Sequence, residues 1–103
     1  MKKVLVLGAS KGIGRATVVK LSKNENYSLV AVARSNELLE TLKQECNNKI
    51  DIESMDVLEN PNEKANKLLK KYGVFDIVIH CVGSSLTNRD IFGSWEEALR
   101  LNA

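Results

Sequence analysis

The chain has 103 residues, enough for one small domain, and its 44% hydrophobic and 27% charged content is that of an ordinary α/β protein. Its 15 basic and 13 acidic side chains leave a formal net charge of +2, too small an excess to call for a nucleic-acid partner. No apolar run approaches the roughly 20 residues needed to span a bilayer, so no membrane partner is expected. Strand-like residues begin at Lys3, which leaves no room for the charged, apolar and cleavage regions of a signal peptide, and the cytoplasm is the expected location. Cys46 and Cys81 lie far apart, without CxxC or Cys/His spacing, and read as small hydrophobes; no metal site is expected.

In chain order, the apolar run Val4-Leu5-Val6-Leu7 predicts a first strand. It runs into Gly8-Ala9-Ser10-Lys11-Gly12-Ile13-Gly14 and then into a helix-like segment from Arg15 to Leu21. This is the pattern of a phosphate-binding turn. Gly8 lets the chain reverse, Gly12 leaves out the Cβ that would block a pyrophosphate, and Gly14 lets the helix pack closely. The N–H groups of the helix's first turn would then face an anion. A ligand-free glycine turn is the plainer alternative, weakened by the strand before the turn and the βα units after it.

Lys23-Asn24-Glu25-Asn26 is a polar break before a second strand, Ser28 to Ala33, apolar on both faces and so expected to be buried and parallel. Ser35 or Asn36 can cap a second helix, in which Leu38, Leu39, Leu42 and Cys46 recur at helical spacing up to Asn47-Asn48. Ile50-Asp51-Ile52-Glu53 alternates apolar and acidic residues, which suits an edge strand. Asn60-Pro61-Asn62-Glu63 predicts a third helix with Asn60 as cap and Glu63 closing a capping box, ended at Gly73. Lys64, Lys67, Lys70 and Lys71 form its solvated face. Phe75 to Ile79 is a fourth, mostly apolar strand expected to be central, and Ser94-Trp95-Glu96-Glu97 opens a last helix. Strict alternation of strand and helix implies right-handed crossovers and a doubly wound, three-layer α/β fold with parallel strand order 3-2-1-4.

In such folds the end of the second strand chooses the cofactor. Arg34-Ser35 stands there instead of an acid: Arg34 can fork onto a ribose 2′-phosphate, Ser35 can donate to it, and Lys11 adds a second positive charge. The plainer reading is that Arg34 and Lys11 are exposed cations. NADP(H) is therefore expected in preference to NAD(H).

The order Gly8, Gly12, Gly14 resembles that of the short-chain dehydrogenase/reductases, with Leu7 where the family usually has Thr. The resemblance implies that Asp56 holds the adenine amino group beside Val57, although a turn-forming Asp is the competing reading. His80-Cys81-Val82-Gly83 stands where the family shows Asn-Asn-Ala-Gly; the implied cofactor contacts there are backbone approaches at Cys81 and Gly83, and His80 reads as structural. Asn102, on a face shared with Trp95, Ala98 and Leu99, matches the Asn that orders a water leading to the family's catalytic Lys. Ser10 and Ile13 fall within the same cofactor-binding turn. The family's Ser and Tyr-x-x-x-Lys are not in this sequence: Tyr27 and Tyr72 are followed four residues later by Ala31 and Asp76.

The expectation is a single NAD(P)-binding Rossmann domain over 1–103, cut short before the catalytic segment and inactive alone. Its complete form would pass hydride between nicotinamide and a small-molecule carbonyl or alcohol, as a homo-oligomer. Alone, it should self-associate along an apolar fourth-strand edge made by Phe75, Ile77 and Ile79. Two rivals stay open: a naturally short, non-catalytic dinucleotide-binding or sensor module, and a phosphate-binding α/β domain unrelated to redox, against which the missing Gly-Lys-Ser/Thr ending counts.

Overall fold

Four parallel strands in the order β3-β2-β1-β4 form the middle layer of the protein. The computed structural model describes residues 1–81, Trp95 and Leu99. The elements run β1 (Lys2–Leu7), α1 (Gly12–Ser22), β2 (Tyr27–Ala33), α2 (Asn36–Glu45), β3 (Asp51–Ser54), α3 (Pro61–Tyr72) and β4 (Ile77–His80). This is the order and parallel pairing that alternating strands and helices impose when each crossover returns to the sheet with the same hand.

The continuous apolar runs of β1 and β2 are explained by burial on both faces. Along β1, Val4 and Val6 enter one core with Val18 of α1 and Leu39 and Leu42 of α2. Leu5 and Leu7 point the other way, into a second core with Ala65 and Leu68 of α3, Phe75, Trp95 and Leu99. Period-two side-chain alternation thus feeds both helical layers from one strand. β3 occupies an outer position, as its alternating Asp51-Ile52-Glu53 pattern implies.

Local details depart from the sequence expectations. α1 begins at Gly12, so two of the turn's three glycines lie inside its first turn. Asn60 occupies the N-cap position of α3, but its backbone is left-handed (φ 48°, ψ 56°) and its side chain makes no capping bond, so the expected capping box does not form. That backbone swings the side chain away from the first-turn N–H groups a cap must reach. Pro61, which has no N–H to satisfy, starts the helix without that cap. Ser35 does cap α2, accepting from the Leu38 N–H at 3.3 Å.

β4 starts at Ile77 because Asp76 is engaged with Lys3: the Lys3 N–H donates to Asp76 Oδ2 (2.8 Å) and the Asp76 N–H to the Lys3 carbonyl (2.9 Å). Phe75 consequently lies in the core at 1% exposure, its ring 6.2 Å from that of Tyr72, and is not part of an exposed edge. Among the described residues β4 pairs only with β1, at the end of the strand order 3-2-1-4 that the alternation of strands and helices predicts.

Candidate functional site

The carboxyl ends of β1, β2 and β3 converge on a cleft of about 280 Å³. Gly8, Ser10 and Lys11 line it from the first βα turn, Ala33, Arg34 and Ser35 from the end of β2, and Met55, Asp56, Val57 and Leu58 from the segment after β3. A parallel sheet with crossovers on both faces opens its crevice there, beyond the strand ends.

The turn's backbone is fixed by its glycines. Gly8 has φ +83°, and its N–H and that of Ala9 both donate to the Val32 carbonyl, at 2.8 and 3.0 Å. Gly14 is a contact glycine: a Cβ there would stand 2.2 Å from the Gly8 carbonyl oxygen and 3.0 Å from Cys81 Cβ. Gly12 differs from both, with φ +54° and nothing within 4 Å of where its Cβ would be, so open space faces the start of α1. That start carries no acidic residue in its first turn and no side-chain cap, so the positive end of the helix is left to solvent or an anion. These are the features a pyrophosphate cradle requires, and the residues present fit a dinucleotide.

Among the described residues neither Arg34 nor Lys11 has an ion-pair partner, and both are exposed on the cleft rim. Arg15, by contrast, is committed to α2, donating to the Leu38 carbonyl (3.2 Å) and pairing with Glu45 (3.0 Å). On the facing wall Asp56 Oδ1 accepts from the Leu58 N–H at 3.0 Å, which holds the carboxylate in a turn at the cleft. Arg34 is steadied through its backbone, its carbonyl accepting from Ser54 Oγ at 2.9 Å.

Seven of the residues singled out from sequence, namely Gly8, Ser10, Lys11, Arg34, Ser35, Asp56 and Val57, thus share one cleft. Gly12, Ile13 and Gly14 are not on its wall: Gly12 borders a more open hollow with Arg15 and Glu45, and Ile13 projects its side chain at 81% exposure. Cys81 reaches the glycine turn from β4, its N–H donating to the Leu7 carbonyl at 2.8 Å, and burial pushes its thiol pKa up. A thiol so placed is a poor nucleophile near neutral pH. Gly83 and Asn102 lie outside the described residues. Sequence reasoning missed Ala33, Met55 and Leu58 as cleft residues; Ala33 ends β2 and the other two follow β3, and as apolar side chains they carry no signal beyond hydrophobicity.

Crevice, glycine turn and parallel order together define the class, a doubly wound Rossmann-like domain. Residues 2–102 match the short chain dehydrogenase family, and the chain belongs to that family of nicotinamide-dependent oxidoreductases. Among its relatives are an NADPH-dependent pterin aldehyde reductase of Arabidopsis thaliana, 34% identical over 97 residues covering 90% of this chain and 38% of that protein. An uncharacterized oxidoreductase of Staphylococcus epidermidis is 33% identical over 90 residues, covering 85% of this chain and 39% of its own. The chain therefore spans less than half the length of these relatives. The fold is shared with the oxidoreductase yciK from E. coli (TM-score 0.81, 21% identity, 95% of this chain and 50% of that one). It is shared too with serine dehydrogenase from Escherichia coli (TM-score 0.78, 22% identity, 95% and 54%).

Proposed function

We propose that this chain is the NADP(H)-binding part of a short-chain dehydrogenase/reductase whose complete form interconverts a small carbonyl compound and its alcohol, in the cytoplasm and as a homo-oligomer. The observation that carries the cofactor choice is the convergence of Lys11, Arg34 and Ser35 on one rim of the cleft, with Asp56 and Val57 on the facing wall. When bound, the nicotinamide would give or take the hydride. This chain's residues bind and orient. The uncapped first turn of α1 and the open space at Gly12 would take the pyrophosphate, Arg34 and Lys11 the 2′-phosphate, Ser35 a further phosphate oxygen, and Asp56 the adenine amino group. Ile13, Cys81 and Gly83 would meet the nicotinamide half by side-chain or backbone approach, and Asn102 would help to order the proton path. The likeness to an NADPH-dependent reductase supports the same reading.

Each charge-assisted contact to a phosphate contributes about 1.5 to 3 kcal/mol. Two partly solvated ones should favour NADPH over NADH by roughly 10- to 100-fold. Arg34→Asp should reverse the order, because the carboxylate repels the phosphate and accepts from the free ribose hydroxyls of NADH. Titration of both cofactors into wild type and variant at one fixed salt concentration is the test. Equal affinities in wild type would remove the assignment.

A further inference from the structure

The wall of the cleft formed by Met55 to Leu58 is irregular backbone, yet it is tied at successive residues. The Met55 N–H donates to the Ala33 carbonyl at 2.9 Å, the Asp56 carbonyl accepts from Lys64 Nζ of α3, and Asp56 Oδ1 accepts from the Leu58 N–H. A further tie comes from far along the chain: Trp95 Nε1 donates to the Val57 carbonyl at 2.8 Å. Both Trp95 and Val57 are buried, at 0% and 5% exposure, within the α3-side core. Trp95 does not line the cleft; Val57 does.

A buried tryptophan needs a partner for its N–H, and a buried carbonyl needs a donor. Here each satisfies the other. The bond is shielded from water, so loss of the donor would leave the Val57 carbonyl without the partner its burial demands. The cheapest relief is for the loop to turn that carbonyl toward solvent, which moves Asp56 and Val57 together.

We propose that Trp95 is a positioning residue for the adenosine half of the dinucleotide: its indole N–H fixes the Asp56-Val57 wall and thereby sets affinity for a ligand it does not touch. The inference rests on the cleft reading given above. Because Trp95 is the sole tryptophan of the chain, its emission reports the wall directly.

The test uses 2′,5′-ADP as the probe, with inorganic phosphate at matched ionic strength as control. In wild type, saturating 2′,5′-ADP shifts or quenches Trp95 emission and phosphate does not. Trp95→Phe, which retains an aromatic ring and lacks the donor, raises the Kd for 2′,5′-ADP by about 10-fold in calorimetry. Phe75→Leu removes volume from the same core with no bond to the cleft and leaves that Kd within about twofold of wild type. Wild-type affinity in a folded Trp95→Phe protein, an equal weakening by Phe75→Leu, or unmoved emission at calorimetric saturation each overturns the role of Trp95 while leaving the cofactor reading intact. Should Trp95→Phe fail to fold, the emission experiment on wild type decides alone. Absence of any 2′,5′-ADP binding to wild type overturns the reading of the cleft, and the inference with it.

Discussion

At Gly14 the constraint is steric and at Gly12 it is torsional, so the same substitution should cost different things at two positions two residues apart. A Cβ at Gly14 meets a backbone oxygen at 2.2 Å, and the obstacle cannot rotate away. Gly14→Ala is therefore expected to lose about 3 kcal/mol or more, the upper end of overpacking costs. Gly12→Ala meets no atom within 4 Å and pays only for φ +54°, about 1 to 2 kcal/mol. Its methyl group would enter the space assigned to pyrophosphate, so its larger effect should fall on NADPH affinity. Urea unfolding with unchanged m-values, read beside NADPH titration, separates the two. A Gly12→Ala protein that binds NADPH as tightly as wild type would speak against the cradle.

Elements are locked to one another by polar contacts whose strength depends on pH, and α3 against β3 is the clearest instance. The Tyr72 hydroxyl and Lys71 Nζ both donate to Glu53 Oε2, at 3.0 and 2.9 Å. Burial, followed by the bond to Glu53, pushes the Tyr72 phenol up from 10.0 to about 12, and the bond to Glu53 also raises Lys71. In both cases the native state holds its proton more tightly than the unfolded chain. The stabilisation is complete below pH 10, the ordinary tyrosine value, and drains away as pH rises toward 12. Urea midpoints should be independent of these groups below pH 10 and fall between 10 and 12. The fall should be shallower in Tyr72→Phe, and an identical alkaline profile in that variant would show that the phenol carries none of it.

The same two elements show what could be read from sequence and what could not. The edge character of β3 was legible in its alternating acids, and the solvated face of α3 in Lys67, Lys70 and Lys71, because burial imposes a period on local sequence. Asn60 as a side-chain cap was not, since residue type gives a propensity whereas capping depends on a backbone angle that the preceding turn sets. The start of β4 was misplaced for a related reason: Asp76 pairs with Lys3 across 73 positions. At the cleft, the glycines and the Arg34-Ser35 pair could be found by their place after strands. The bond from Trp95 to Val57 spans 38 positions and left no trace in spacing.

For the whole molecule, binding and turnover should separate. With Tyr27 and Tyr72 each lacking a lysine four residues on, the 103 residues contain no Tyr-x-x-x-Lys to act as proton donor, and NADPH oxidation dependent on a carbonyl substrate should stay at background. Cofactor binding should persist, since it depends on groups the cleft already gathers. Steady substrate-dependent oxidation would contradict this.

The sheet's own boundary gives the last expectation. β4 pairs only with β1 among the described residues, Ile77 is 36% exposed on it, and Val74 just before it is 68% exposed. Phe75 contributes nothing to this edge, being turned into the core, so the apolar surface is Val74, Ile77 and the half-buried Ile79. Where nothing else covers that side of β4, its backbone and apolar flanks recruit another strand, and the nearest source in a concentrated solution is a second copy. Sedimentation of the 103-residue chain should therefore show mass growing with concentration. Ile77→Lys, which places a charge on the exposed position of the edge, should return the chain to monomer with little loss of stability. A wild-type chain that sediments as a sharp monomer at high concentration would mean that the β4 edge is already covered.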